Sequence, residues 1–148
     1  NMMNTKGFYG LVMLLCAWSI IPSASAEQKK ELGQWDVHYI AFPSTFLTPE
    51  IARQYKIKRS GYRAVVNISV LDKDDSDKAA QKVSISGYAR NLLGTQKSLE
   101  FREIIEGDAI YYLAQVSYHN EETIQFDLMI SDGNESHPLK FSQKFYVD

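Results

Sequence analysis

Apolar and polar residues alternate with a period of two over most of the chain after residue 33, which is the pattern of strands that bury one face. Turns that contain glycine, proline or several charged residues interrupt this alternation. Together they predict about seven strands, over residues 35–42, 63–71, 82–92, 98–105, 109–118, 123–131 and 138–147. Residues 27–33 are polar, and we expect them to be a flexible lead-in.

No long helix separates the predicted strands, which excludes parallel β-α-β units. We therefore predict an all-β fold, an antiparallel two-sheet sandwich of immunoglobulin-like type. A closed β-barrel is the alternative. Residues at the centres of the apolar faces should point between the two sheets. These are Val66, Ile68, Phe101, Tyr112, Phe126 and Phe141.

One long connection, residues 42–62, does not follow the strand pattern and lies between the first two predicted strands. Thr48 can accept a hydrogen bond from the first turn of a helix, and Pro49 suits the first helical position. The sequence therefore predicts one short helix here. Ile51 and Tyr55 share one face of this helix, and such a short helix is stable only if that face docks on the sheet.

Residues 1–26 are arranged like a secretory signal peptide. Lys6 precedes an apolar run over residues 8–21, and Ala24 and Ala26 form a small-x-small cleavage site. We expect cleavage after Ala26 and a natural start at Met2 or Met3, with an uncleaved N-terminal anchor as the alternative. The remaining residues 27–148 have the length of one domain.

Charge and cysteine content exclude several classes of function. The net charge of −2 favours neither nucleic acid nor a strongly anionic partner. The single cysteine, Cys16, lies in the predicted signal peptide, so the mature chain has no disulfide and no thiol nucleophile. His38, His119 and His137 are too scattered in sequence to suggest a metal site, and we expect no cofactor.

Catalytic motifs are also missing from the sequence. There is no Gly-x-Ser-x-Gly elbow, and the acidic loop over residues 72–78 lacks the glycine and glutamate of a calcium loop. Glu103 shares a predicted face with Phe101 and Ile105, so it is expected to be partly buried. A structural bond or ion pair explains such a carboxylate more simply than catalysis does.

The connection over residues 42–62 also carries the densest positive charge. We expect Arg53, Lys58 and Arg59 to face solvent with Phe46 and Tyr62, and we predict that these five residues form a binding surface. Aromatic and arginine side chains are the usual anchors of protein interfaces. The alternative is that the connection only covers apolar side chains at an open end of the sandwich.

Two stretches of sequence are distinctive when taken together. Residues 42–55 read FPSTFLTPEIARQY, and residues 91–114 contain NLLG followed by LEFREIIEGDAIYYLA. They resemble the small Gram-negative exported family called domain of unknown function 4426, and Lys56 stands where that family is expected to have glycine. The resemblance covers nearly all of residues 27–148. It implies a single-domain periplasmic β-sandwich, and it brings no activity, cofactor or catalytic residue.

These observations predict a non-enzymatic periplasmic module that binds another protein or an envelope component. One alternative is a small-molecule carrier, which needs an apolar cavity between the sheets. Another is a hydrolase built around Glu103, which needs a second carboxylate or a histidine beside it. A filled core with an exposed apolar patch would favour the binding module.

Overall fold

The computed structural model describes residues 26–147, and the predicted signal peptide lies outside them apart from Ala26. Within this range nine antiparallel strands form two sheets, so the prediction of an all-β sandwich is confirmed, with nine strands in place of about seven. The strands are β1 (Gln28–Leu32), β2 (Trp35–Pro43), β3 (Arg63–Asp72), β4 (Ser84–Asn91), β5 (Gln96–Ser98), β6 (Arg102–Glu106), β7 (Ala109–Ser117), β8 (Glu122–Ser131) and β9 (Ser136–Phe145).

The larger sheet has the strand order β1-β2-β3-β7-β6, and the smaller sheet has the order β5-β4-β8-β9. Their edge strands are therefore β1 and β6 in one sheet and β5 and β9 in the other. In the larger sheet, Val66 of β3 lies opposite Ala41 of β2 and Ala114 of β7. This register turns the apolar sides of the three central strands toward the smaller sheet.

Two of the predicted strand assignments were wrong in detail. Residues 28–32 are not a flexible lead-in, because they form edge strand β1 and pair with β2. The single strand predicted over residues 98–105 is instead two strands in different sheets, β5 and β6. Between them the chain crosses the edge of the core, where Leu99 is buried and its N–H donates to the Gly87 carbonyl oxygen at 2.9 Å.

The main core lies between the sheets and is filled with apolar side chains. Of the predicted core residues, four are buried there: Val66, Ile68, Tyr112 and Phe126. The other two, Phe101 and Phe141, are half-buried and pack against this cluster. The rings of Phe126 and Phe141 stack with their centroids 4.8 Å apart. All described core side chains lie within residues 32–147, so a chain that begins at Glu27 retains the whole core.

The predicted short helix is present as α1 (Pro49–Gln54), and a 3-10 turn over Ser44–Phe46 precedes it. The Thr48 hydroxyl oxygen accepts a hydrogen bond from the Ile51 N–H at 3.3 Å. The helix ends in a left-handed residue, Lys56, with φ of 55°. The Ile57 N–H then donates to the Ala52 carbonyl at 2.8 Å, which is the closing bond of a Schellman cap.

Residues 42–62 pack on the outer face of the larger sheet, the face opposite the main core. They form a second apolar cluster with that face, in which five side chains are buried: Phe42, Ala52, Ile57, Val65 and Leu113. The connection therefore covers a sheet face and not an open end of the sandwich. Within residues 26–147, no helix is both long enough and apolar enough to cross a membrane.

Candidate functional site

A groove of about 180 Å³ lies between α1 and the outer face of the larger sheet, and we call it the helix groove. Its walls are mostly apolar. Leu47 and Ile51 contribute one wall from the connection, while Val65, Ile104 and Leu113 contribute the other from the sheet. The groove exists because the short helix covers only part of the sheet face on which it packs.

Asn67 interrupts the apolar lining of the helix groove. It sits on central strand β3, in register with Ile40 of β2 on one side and Leu113 of β7 on the other. Its Oδ1 atom is buried and has no hydrogen-bond partner among residues 26–147. Leaving a buried amide oxygen unpaired costs about 1–3 kcal/mol. We therefore expect an apolar side chain at this position to be more stable than the amide.

The rim of the groove is polar and is fixed by hydrogen bonds between α1 and β6. The Tyr55 hydroxyl donates to the Glu106 carboxylate, and this bond raises the pKa of Tyr55 to about 12. The Arg102 guanidinium donates to the Tyr55 carbonyl oxygen at 2.6 Å. These bonds hold the end of the helix at a fixed distance from the sheet.

The outer face continues beyond the helix groove into a wider depression of about 420 Å³ that more charged side chains line. Tyr111 lines both regions, and His38, Ser69 and Lys78 line the second. Lys78 pairs with the buried Asp36 carboxylate at 3.1 Å, and this hydrogen bond holds the pKa of Asp36 below its ordinary value. The outer face is thus apolar under the helix and charged away from it.

Phe46 and Arg59 of the predicted binding surface take part in the local structure of the connection. The Phe46 ring stacks on Phe42 with centroids 6.4 Å apart. The Arg59 side chain donates to the carbonyl oxygens of Leu47 and Thr45, at 2.8 Å and 3.2 Å. Arg59 is exposed and therefore braces the loop before α1 from its solvent side.

The other three predicted residues are exposed, as Arg59 is. Arg53 is exposed in the last turn of α1. Lys58 is also exposed, and its backbone N–H and C=O both bond the amide of Gln115 on β7 at 2.9 Å. Tyr62 lies at the start of β3, where its carbonyl oxygen accepts a bond from the Tyr118 N–H. It belongs to the end of the sandwich and not to the helix groove.

The family model for the domain of unknown function DUF4426 matches residues 29–148. The chain belongs to this family. The chain is 32% identical in sequence to a DUF4426 family protein from Pseudomonas aeruginosa PAO1, and its fold matches the crystal structure of that protein with a TM-score of 0.71. The match covers 82% of this chain and 96% of that one. A comparison with curated proteins finds no match.

Two structures of FetP from uropathogenic Escherichia coli strain F11 share the fold of this DUF4426 protein. One is a copper-bound variant with a single substitution, with a TM-score of 0.59 over 84% of this chain and 93% of that one. The other was expressed recombinantly in the periplasm of E. coli, with a TM-score of 0.58 over 84% and 96% of the two chains. Both are only 9% identical to this chain, so the likeness concerns the fold alone.

Glu103 of this DUF4426 protein forms structural bonds. Its carboxylate accepts a hydrogen bond from the Tyr112 hydroxyl at 2.9 Å and lies 3.3 Å from the Lys82 ammonium. The bond from Tyr112 holds the pKa of Glu103 below its ordinary value, whereas a general acid needs a raised pKa. The Tyr112 hydroxyl in turn accepts a bond from the Val83 N–H at 2.8 Å. This hydroxyl therefore links β7 to Glu103 on β6 and to the residue before β4.

The histidines of the described chain are placed apart. His38 bonds Glu27 at 2.8 Å, and His137 bonds Glu135 at 2.8 Å while its ring packs edge-on against Trp35. Within residues 26–147, no three side chains of His, Cys, Asp or Glu come together as metal ligands. His38 therefore bonds the residue before β1 to β2, and His137 packs β9 against Trp35 of β2.

The prediction from sequence missed Asn67, Glu106 and Tyr111, which line the helix groove. A signal for the groove was present in β3, where Val65 and Leu71 are apolar on the side that the alternation turns outward. A strand that is apolar on both sides is covered on both sides. Asn67 between them then stands out as a polar residue on a covered face.

Proposed function

We propose that this DUF4426 protein is an exported, non-enzymatic binding module of the periplasm, and that the helix groove binds an apolar side chain of a protein or an envelope component. The observation that carries the proposal is the buried Oδ1 atom of Asn67, which has no hydrogen-bond partner among residues 26–147, in a mostly apolar groove. Unpaired buried polar groups are rare in native folds, and a binding role is one reason for keeping one.

The size of the groove limits what it can hold. Sites for whole small molecules usually measure about 300–1,000 Å³. The helix groove, at about 180 Å³, is smaller than that range. It suits one large side chain or a short apolar group that remains attached to a larger partner. This supports a binding module more than a carrier that encloses its ligand.

Asn67 supplies the specificity of the site. A partner that places an N–H or O–H group beside its apolar group can pair with the amide oxygen after a small rotation of the side chain. A purely apolar group would leave the amide buried and unpaired, so it would bind more weakly. We therefore expect a partner group such as tryptophan or tyrosine, whose rings combine an apolar body with one donor.

The exposed cations beside the groove extend the binding surface. Arg53 and Lys58 are exposed on the same connection whose inner side lines the groove. They favour a partner that carries negative charge near its apolar group. Because exposed charges act mainly on the rate and specificity of association, they contribute less to affinity than the groove does.

The two alternatives are less well supported. A carrier needs an apolar cavity between the sheets, but Phe126, Ile130 and Leu139 fill that space and are completely buried. A hydrolase around Glu103 needs a second carboxylate or a histidine beside it. The partners of Glu103 are instead Tyr112 and Lys82.

The proposal is tested by comparing three versions of residues 27–148 as bait in periplasmic extract, followed by quantitative mass spectrometry. They are the wild type, Asn67→Leu, which fills the groove, and Ser69→Val as a control on the same face of the same strand. We expect one component to be enriched by the wild type and the control, and at least tenfold less by Asn67→Leu. Equal enrichment by all three versions would show that the groove is not the binding site.

Export is tested separately by the intact mass of the protein recovered from the periplasm. The expected species begins at Glu27. A periplasmic protein that still carries residues 8–21 would contradict cleavage after Ala26, whatever the outcome of the binding experiment.

A further inference from the structure

Leu92 and Leu93 are the most exposed large apolar side chains of residues 26–147, at 83% and 92% of their full surface. They lie side by side in the turn that joins β4 to β5. Tyr62 and Tyr146 are also exposed, at 59% and 50%. Strand directions place all four at one end of the sandwich, which we call the apolar end.

The turn that carries the two leucines is held by Asn91. Its side-chain oxygen accepts hydrogen bonds from the Leu93 N–H at 3.0 Å and the Thr95 N–H at 2.9 Å. Its amide donates to the Glu122 carboxylate on β8 at 3.1 Å. These bonds fix the backbone of the turn, so the leucines are displayed to solvent and do not fold back onto the core.

Tyr118 holds the two exposed tyrosines at the same end. Its backbone N–H donates to the Tyr62 carbonyl oxygen at 2.9 Å. Its hydroxyl lies 2.7 Å from the Gly61 carbonyl oxygen and 3.1 Å from that of Tyr146. The start of β3 and the ends of β7 and β9 are therefore joined through Tyr118, whose ring is buried.

A cleft of about 280 Å³ opens beside the leucine turn. Leu93, Lys97 and His119 line it together with Arg90 and Glu122. Glu122 is already engaged, since its carboxylate accepts bonds from the Asn91 amide and the His119 N–H. Among residues 26–147, the Lys97 ammonium hydrogen-bonds only a carbonyl oxygen, that of Ser117 at 3.4 Å, so its charge is available to an anion.

We propose that the apolar end docks on a lipid bilayer with anionic headgroups. Leu92 and Leu93 enter the acyl layer, Tyr62 and Tyr146 lie at the level of the headgroups, and Lys97 binds a headgroup phosphate in the cleft. Leucine tips, amphipathic rings and lysines are the side chains that suit these three depths. Lys144, which lies 5.5 Å from the Tyr146 ring centroid, adds a second cation at this end.

A bilayer fits this surface better than a protein does because the two leucines form a projecting tip. A protein partner would have to offer a matching pocket, whereas lipid chains rearrange around a small apolar tip. The inference deepens the proposed function, since it rests on export and names a lipid surface as an envelope component. It involves a different surface from the helix groove, so binding to vesicles can fail while binding at the groove stands, and the reverse.

The experiment is sedimentation of purified residues 27–148 with vesicles of phosphatidylethanolamine and phosphatidylglycerol, or of phosphatidylcholine alone. We expect binding to the anionic vesicles and at least tenfold weaker binding to the neutral ones. Leu92→Ser combined with Leu93→Ser should weaken binding to anionic vesicles at least tenfold. Lys97→Glu should reduce it several-fold and remove most of the preference for phosphatidylglycerol.

The matched control is Ile105→Ser combined with Met129→Ser, which removes two other exposed apolar side chains outside the apolar end. It should bind as the wild type does. A second measurement uses Leu93→Trp, whose new fluorescence should shift to the blue on anionic vesicles. The proposal is wrong if the wild type stays in the supernatant, or if the leucine double variant sediments like the wild type. It is also wrong if the leucine double variant still sediments with anionic vesicles and instead fails to enrich a protein from periplasmic extract.

Discussion

The inner face of the five-stranded sheet packs against a complete second sheet, whereas its outer face is covered only in part, by residues 42–62. On the inner side, Phe126 and Ile68 are wholly buried among apolar neighbours. On the outer side, a single short helix leaves a groove, and Asn67 has a buried oxygen without a partner among residues 26–147.

The two faces therefore differ in role: the inner face stabilises the fold, whereas the outer face has a groove that we propose binds a partner. A sheet-on-sheet core gains most of its stability from continuous burial of apolar surface. The outer cluster is smaller and includes a destabilising polar group. Groups that reduce stability are often found at binding sites, because function and stability place different demands on the same residue. The following variants test this contrast.

The largest effect is expected for Phe126→Ala in the inner core. The ring is fully buried and stacks on Phe141, so its removal leaves a cavity between the sheets. The free energy of unfolding in urea should fall by about 3–5 kcal/mol. A loss well below 1 kcal/mol would mean that the space between the sheets closes around the missing ring.

A smaller loss is expected for Ile57→Ala in the outer cluster. Ile57 is buried just after α1, and its N–H closes the helix cap. Truncation should cost about 2 kcal/mol, at the low end for a buried isoleucine, since the open groove lets neighbours relax. Hydrogen exchange should accelerate in α1 and not in β8. Equal acceleration in both elements would show that the outer cover and the inner core unfold together.

Asn67→Leu should stabilise the protein, in contrast to both truncations. Replacing the unpaired amide with an apolar side chain removes its desolvation cost and fills part of the groove. The gain in unfolding free energy should be about 1–2 kcal/mol. Ser69→Val, two residues along the same face, is the control and should change stability less. A destabilised Asn67→Leu protein would indicate that the amide has a structural role.

The smallest effect is expected for Lys56→Gly at the end of α1. Lys56 adopts a left-handed conformation that glycine takes without strain. After subtracting the greater flexibility of an unfolded glycine, the net gain should be about 0.5–1 kcal/mol. Lys58→Gly is the control, since this neighbouring lysine does not have positive φ, and it should be neutral or destabilising. If both variants behave alike in thermal melts, the strain at Lys56 is negligible.

The longer strands could be predicted because each places alternate apolar side chains in the main core, even where the other side is also covered. Strands β2, β3, β7, β8 and β9 were all identified in this way. The short edge strands were missed for the same physical reason. Gln28–Leu32 and Gln96–Ser98 are polar and mostly exposed, so burial leaves no pattern in them. The sheet change near Leu99 was hidden because Leu99 and Phe101 both face the core on either side of it.

The helix could be predicted in detail because its signals are local. Thr48 and Pro49 mark its start. Tyr55 packs against the outer cluster as expected, but the buried residue of α1 is Ala52, and Ile51 lines the helix groove instead. The helix groove could not be predicted, since it depends on which sheet face the helix covers. That choice is made by residues far apart in sequence, such as Ile57, Val65 and Leu113.

The edge strands affect how this protein behaves at high concentration. Each carries side chains that oppose pairing with another strand: Lys29 and Lys30 in β1, Lys97 in β5, Arg102 in β6 and Pro138 in β9. Lysine and proline at sheet edges disfavour edge-to-edge polymerisation. A partner is therefore not expected to bind by adding a strand to either sheet. Contacts with other molecules are then left to side chains on the faces and ends of the sandwich.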